Sequence, residues 1–149
     1  MKPLIATFIA ALIAVSTPGC AGEDGPTASG PQTTTIEISY DELLNRKRVD
    51  RAVTLRVGDF LQVSLGSNAS TGFRWAEQMQ ISDSDVLAQT GHEAVGPADG
   101  PPGGPGREVW VLQALSAGTT TVSTTYGRPW DGGEQDAWTF TADVVVTTR

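Results

Sequence analysis

Residues 138–146 read Trp-Thr-Phe-Thr-Ala-Asp-Val-Val-Val. Trp138, Phe140, Ala142, Val144 and Val146 fall on one side of an extended chain, with Thr139, Thr141 and Asp143 on the other. That alternation has a period of two, which marks a strand with one buried face and excludes a helix. The same period recurs upstream. Ile36, Ile38 and Tyr40 alternate with Thr35, Glu37 and Ser39; Val53, Leu55 and Val57 alternate with Thr54 and Arg56, and Leu61, Val63 and Leu65 follow a Gly58-Asp59 turn. Phe73 to Gln78 is a further short candidate around Trp75, and Val86 to Thr90 a fainter one. Arg107 to Leu115 is apolar on both faces, as a central strand is, and ends at Ser116-Ala117-Gly118; Thr119 to Tyr126 then returns rich in β-branched residues. Short strands separated by turn signals, with no long helical pattern, predict an all-β antiparallel sandwich or barrel. Trp75, Trp110 and Trp138 sit in candidate strands and are predicted core. Asp41 to Asp50 breaks the pattern and reads as a short helical turn or a charged connection. Its Arg46-Lys47-Arg48 cluster, bracketed by acidic residues, reads as solvated rather than as a binding patch.

The whole chain has 149 residues, a length suited to one domain. Eighteen Thr and 13 Val agree with the strand reading, while one His and one Cys narrow the chemistry. A structural zinc site needs several Cys or His ligands, and a nucleophile–histidine relay has only His92 to draw on. No catalytic residue, metal site or cofactor is therefore expected, and His92, between Gly91 and Glu93, is predicted to be exposed. Asp131, Glu134 and Asp136 lie close together but lack EF-hand spacing and read as solvated. A formal charge of −7 disfavours nucleic acid and anionic lipid as partners.

The N-terminus reads as an address. Leu4 to Val15 is an almost unbroken apolar run behind Lys2, too short to span a bilayer and shaped like a secretory signal. Ser16-Thr17-Pro18-Gly19-Cys20 resembles a bacterial lipobox, which implies cleavage after Gly19 and a lipid on Cys20; cleavage nearer Ser16, leaving a free thiol, is the alternative. The predicted organisation is a signal at 1–19, a Gly-, Pro- and Thr-rich tether at 20–34 and a folded domain at 35–149. Export follows, to the outer face of the membrane if Cys20 carries the lipid and otherwise by secretion, with membrane contact only through that N-terminal lipid.

Three segments between strands invite a functional reading. The first, Gly66 to Gly72 ahead of Phe73, is by its local chemistry an ordinary hairpin loop. The second, Gly96 to Gly106, is either a shaped loop or a disordered crossover. In the third, Tyr126 to Gly133, Trp130 follows Pro129 with no alternating partner; it either folds back as a lid or is presented as a binding anchor.

Taken in order, Asn68-Ala69-Ser70-Thr71-Gly72-Phe73, the Gly-rich run leading into Arg107-Glu108-Val109-Trp110, and Arg128-Pro129-Trp130 resemble the chagasin family of cysteine peptidase inhibitors. The resemblance covers about Thr35 to Arg149. It implies an immunoglobulin-like antiparallel β-sandwich with three functional loops at one end. It also implies a reversible inhibitor, suited to acting as a monomer, that wedges those loops into the cleft of a papain-like cysteine peptidase. By the same resemblance Thr71 lies over the catalytic Cys of the target, with Asn68, Ala69, Ser70, Gly72 and Phe73 around it. Arg128, Pro129 and Trp130 pack on one side, and Gly103, Gly104 and Gly106 on the other. Ala69 stands where the family pattern has Pro, which implies a looser first loop, and Pro105 interrupts the paired glycines of the second. Two readings from other classes remain open on these residues: a surface lipoprotein that binds a glycan through Trp130, or one that holds an envelope protein through the same loops.

Overall fold

The run that opens the sequence reading is the strand at the centre of one sheet. A computed structural model describes residues 30–97 and 103–149. The strands are β1 (Thr33–Ile38), β2 (Arg48–Arg56), β3 (Phe60–Ser67), β4 (Arg74–Trp75), β5 (Gln80–Ile81), β6 (Leu87–Val95), β7 (Gly106–Ala114), β8 (Gly118–Gly127) and β9 (Trp138–Thr147), with one helix, α1 (Tyr40–Asn45), between β1 and β2. One sheet has the order β1-β3-β7-β6 and the other β2-β9-β8-β4, with β5 also pairing to β8. The predicted signal, Cys20 and most of the tether lie outside the described residues, as does 98–102 of the second loop. Among the described residues, no helix is long and apolar enough to cross a membrane.

The alternating patterns become the two inner faces. Trp138, Phe140, Ala142, Val144 and Val146 are all buried, as are Leu61, Val63 and Leu65 opposite them. Trp75 and Trp110 meet edge to face at the centre, with ring centroids 6.4 Å apart and planes at 89°. Fully burying such a side chain is worth roughly 1.5–3 kcal/mol, so this aromatic centre dominates the core.

The structure departs from the sequence reading in several places. The central ladders are antiparallel as expected, but β1 lies parallel to β3 and β2 parallel to β9, so both sheets are mixed. β1 starts at Thr33, inside the predicted tether, because its ladder partner is Phe60. The charged segment at 41–50 divides: a helix capped by the Ser39 hydroxyl, which accepts from Glu42 N, then the start of β2 at Arg48. The candidate at 73–78 shrinks to the two-residue β4, and the faint run at 86–90 extends as β6 to Val95.

Register fixes where the loops go. Ser67 at the end of β3 pairs with Gly106 at the start of β7, and Val95 at the end of β6 pairs with Arg107. In the other sheet Tyr126 pairs with both Trp75 and Trp138. Each of the three singled-out segments therefore leaves from the same end of the sandwich. The α1–β2 junction lies there too, since Arg48 pairs with Thr139. At the opposite end Asp59 gathers the chain: Oδ1 accepts from Gln32 N and Oδ2 from Arg56 N, each at 3.0 Å, with Arg149 Nη2 at 3.5 Å. These backbone donors, Gln32 first and then Arg56, hold the Asp59 carboxyl below the usual carboxylate range.

Candidate functional site

The first loop is built around Asn68. Its Oδ1 accepts from Ser70 N at 3.2 Å and lies 2.6 Å from Ser70 Oγ, capping a single 3₁₀ turn, Ala69–Thr71. Thr71 Oγ1 donates back to Asn68 O at 2.7 Å, and Gly72 ends the turn in the left-handed region at φ 79°. The looser loop predicted from Ala69 is thus offset by a side-chain cap. From beneath, Asn68 N donates to Tyr126 Oη at 2.9 Å. Burial pushes the Tyr126 hydroxyl above the ordinary phenol range, and the Asn68 N–H partly offsets this, so the group stays a neutral acceptor.

The second loop meets the first through backbone. Ser70 Oγ, which shares its one hydrogen between two acceptors, is 3.0 Å from Gly103 O. Gly104 and Gly106 line a hollow of about 250 Å³ with Ala69 and Phe73. The third loop closes over the other flank. Gly133 N donates to Trp130 O at 3.0 Å and Arg128 N to Glu134 O at 2.8 Å, so the segment is a folded turn. Gln135 Nε2 reinforces it by donating to Arg128 O at 2.7 Å. The Trp130 indole lies against Gly72 so closely that a Cβ there would come within 2.5 Å of the ring. Trp130 nonetheless stays 52% exposed, a presented side chain rather than a buried lid. The Arg128 guanidinium stacks over Phe73 at 4.5 Å and reaches Trp130 at 5.8 Å, while Phe73 stacks on Tyr126 at 5.5 Å.

Asn68, Ser70, Thr71, Gly72, Phe73, Gly103, Arg128 and Trp130 are therefore one connected surface. Ala69 and Gly104 share its hollow, Gly106 sits at its base, and Pro129 is exposed beside Trp130. Cys20 lies outside the described residues. Among the described residues no cluster of three His, Cys, Asp or Glu side chains could hold a metal ion.

Two positions carry more than the sequence reading gave them. Glu108 is 6% exposed, and both its oxygens are engaged: Oε2 accepts from Trp75 N at 3.0 Å and Oε1 lies 3.1 Å from His92 Nε2. It ties the root of the second loop to the strand leaving the first. His92, expected in solvent, is half-buried on β6 and packs against Trp110 with centroids 5.0 Å apart. The sequence signal was available, because Glu108 precedes Trp110, Leu112 and Ala114 on the inward-facing set of β7. Tyr126 gave no such signal, since nothing local distinguishes it from another core aromatic.

Comparison with known proteins places this geometry. A family model described as Chagasin family peptidase inhibitor I42 matches residues 54–144. Amoebiasin-2 from Entamoeba histolytica is 29% identical over 104 residues, covering 70% of this chain and 84% of that protein. Chagasin from Trypanosoma cruzi is 31% identical over 91 residues, covering 60% and 83%. Among solved structures, the cysteine protease inhibitor EhICP2 from Entamoeba histolytica superposes with a TM-score of 0.59 at 23% identity, covering 80% of this chain and all of that one. PbICP-C, solved in complex with falcipain-2, gives a TM-score of 0.50 at 18% identity, covering 79% and 99%. At those identities the two structures speak for the fold alone.

Proposed function

From the premise that this chain belongs to the chagasin family of peptidase inhibitors, we propose that it reversibly blocks papain-like cysteine peptidases, without reaction, by seating its three-loop end in the active-site cleft. The observation that carries this reading is the convergence of segments 68–73, 103–106 and 128–130, locked by the Ser70–Gly103 and Gly72–Trp130 contacts. A plug assembled before encounter loses little conformational entropy on binding. In this reading Thr71 faces the catalytic Cys. Its hydroxyl is already committed to Asn68 O, so the nucleophile meets the Thr71 methyl and a backbone curled into a 3₁₀ turn. Trp130 adds an apolar anchor on one wall, and the glycine backbone at 103–104 approaches the other. Three loops can supply the roughly 800 Å² per partner of a standard interface.

Titration of papain with the protein tests this. Thr71→Arg should abolish inhibition, and Trp130→Ala should weaken it about 30-fold, mainly through faster dissociation. Inhibition untouched by either change ends the proposal. The N-terminal reading extends it: export, Cys20 as lipid anchor, and a tether that holds a monomeric inhibitory end clear of the membrane. Partition into a detergent phase that Cys20→Ser abolishes is the check on the anchor.

A further inference from the structure

The matched family model begins at residue 54, after α1 and the turn that follows it. Yet they stand at the inhibitory end, against the third loop. Between them is a groove of about 350 Å³ whose floor is aromatic: Phe73, Tyr126 and Trp138. Its outer wall is Tyr40, Leu44 and Lys47, and it opens beside Thr71 and Arg128. Leu44 is 55% exposed although Leu43 beside it is fully buried, so α1 presents an apolar side chain outward at the rim.

The charge at this rim points the same way. In a chain of formal charge −7, Arg46, Lys47 and Arg48 are exposed and consecutive here, and none of them joins an ion pair among the described residues. Among the described residues the Arg128 guanidinium also has no carboxylate partner, stacks on Phe73, and leaves its buried Nε without an acceptor. Among the described residues, Glu134 is the one acid lining the groove.

Resting on the inhibitory reading above, we propose that this groove is a fourth contact, which sets target specificity by accepting an apolar side chain flanked by a carboxylate on the rim of the bound peptidase. Three observations support that occupant. The groove is continuous with the three-loop surface through Thr71 and Arg128. Its floor is aromatic and its mouth cationic. Its outer wall, Tyr40, Leu44 and Lys47, comes from a segment outside the three loops and ahead of the residues the family model matches, so it can change without disturbing the plug.

The test uses papain and the full-length protein carrying Leu44→Asp or Lys47→Glu. Both positions are exposed, so thermal midpoints should hold. Each variant should raise the inhibition constant about tenfold, and the loss at Lys47→Glu should shrink as salt rises. Unchanged constants for both variants against normally inhibited papain overturn the groove alone. A wild-type protein that leaves papain fully active overturns the inhibitory reading and this one with it. A dimer in solution that Leu44→Asp splits assigns the groove to a second copy and overturns the proposal.

Discussion

Gly72 is the position at which the geometry of the site can be tested most sharply. Replacing it by Ala has two separable costs. The residue sits at φ 79°, where an L side chain loses roughly 1–2 kcal/mol relative to glycine. The added Cβ would also stand 2.5 Å from Cη2 and 3.1 Å from Cζ3 of Trp130, where ordinary contacts begin near 3.4 Å, so the indole must move by about an ångström. The first cost belongs to folding and should lower the thermal midpoint by about 4 °C. The second belongs to binding. If the indole is a hot spot worth about 2 kcal/mol in its native place, displacing it should raise the inhibition constant against papain by about 30-fold. A double-mutant cycle separates the two. In a Trp130→Ala background there is no ring to displace, so Gly72→Ala should cost the same stability but little further affinity. Equal affinity losses in both backgrounds would refute the claim that Gly72 acts by seating Trp130.

Two further outcomes follow from the buried charges. Glu108→Ala strands Trp75 N–H and His92 without an acceptor and should cost about 3 kcal/mol in urea unfolding, whereas Glu108→Gln, which still accepts from Trp75 N–H, should cost about 1 kcal/mol; equal losses would remove the clamp argument. Asp59, its carboxyl held low by Gln32 and Arg56 N–H, contributes stability that is present above about pH 4 and lost as pH falls through its lower folded value. Asp59→Asn should therefore flatten the acid limb of stability between about pH 2 and 5, and parallel curves for the two proteins would contradict this.

The sandwich was legible because a strand with one buried face writes a period of two into the chain, as β3 and β9 do, and a central strand such as β7 reads as apolar on both faces. The edges were not. β6 carries Gln89, Thr90 and Glu93 among small residues because it is paired on one side only, which leaves little apolar pattern to read. The first half of β2, Arg-Val-Asp-Arg-Ala, is an edge as well, and its strand character comes from its parallel pairing with β9, which no local signal encodes. Parallel pairing of β1 with β3 was invisible for the same reason. At the site, Trp130 stood out by its lack of an alternating partner, whereas Asn68 and Thr71 stood out only through the family resemblance. Of the residues that hold them, Tyr126 looks like an ordinary strand aromatic until its partner 58 positions away is known, whereas Glu108 stands out as an acid on the inward-facing set of β7, though its partner 33 positions away does not.

Those long-range ties also bear on why a segment placed over a nucleophile would resist cleavage. A loop cut as substrate must open so that a carbonyl lies in line with the attacking sulfur. Segment 68–73 can open only by giving up the Asn68 cap, the Tyr126 hydrogen bond and the contact with Gly103. The loop is also strung between the sheets: β3 enters it from one and β4 leaves it into the other, with Glu108 fastening that exit. Stretching it toward an extended conformation therefore pulls the two layers apart, against the packing of Trp75 on Trp110. At about 1 kcal/mol for each hydrogen bond and more for the disturbed core, opening costs several kcal/mol, each 1.4 of which slows cleavage tenfold. The same rigidity that favours binding by limiting the entropy lost thus opposes turnover, and a weakened Asn68 cap should turn an inhibitor toward a slow substrate.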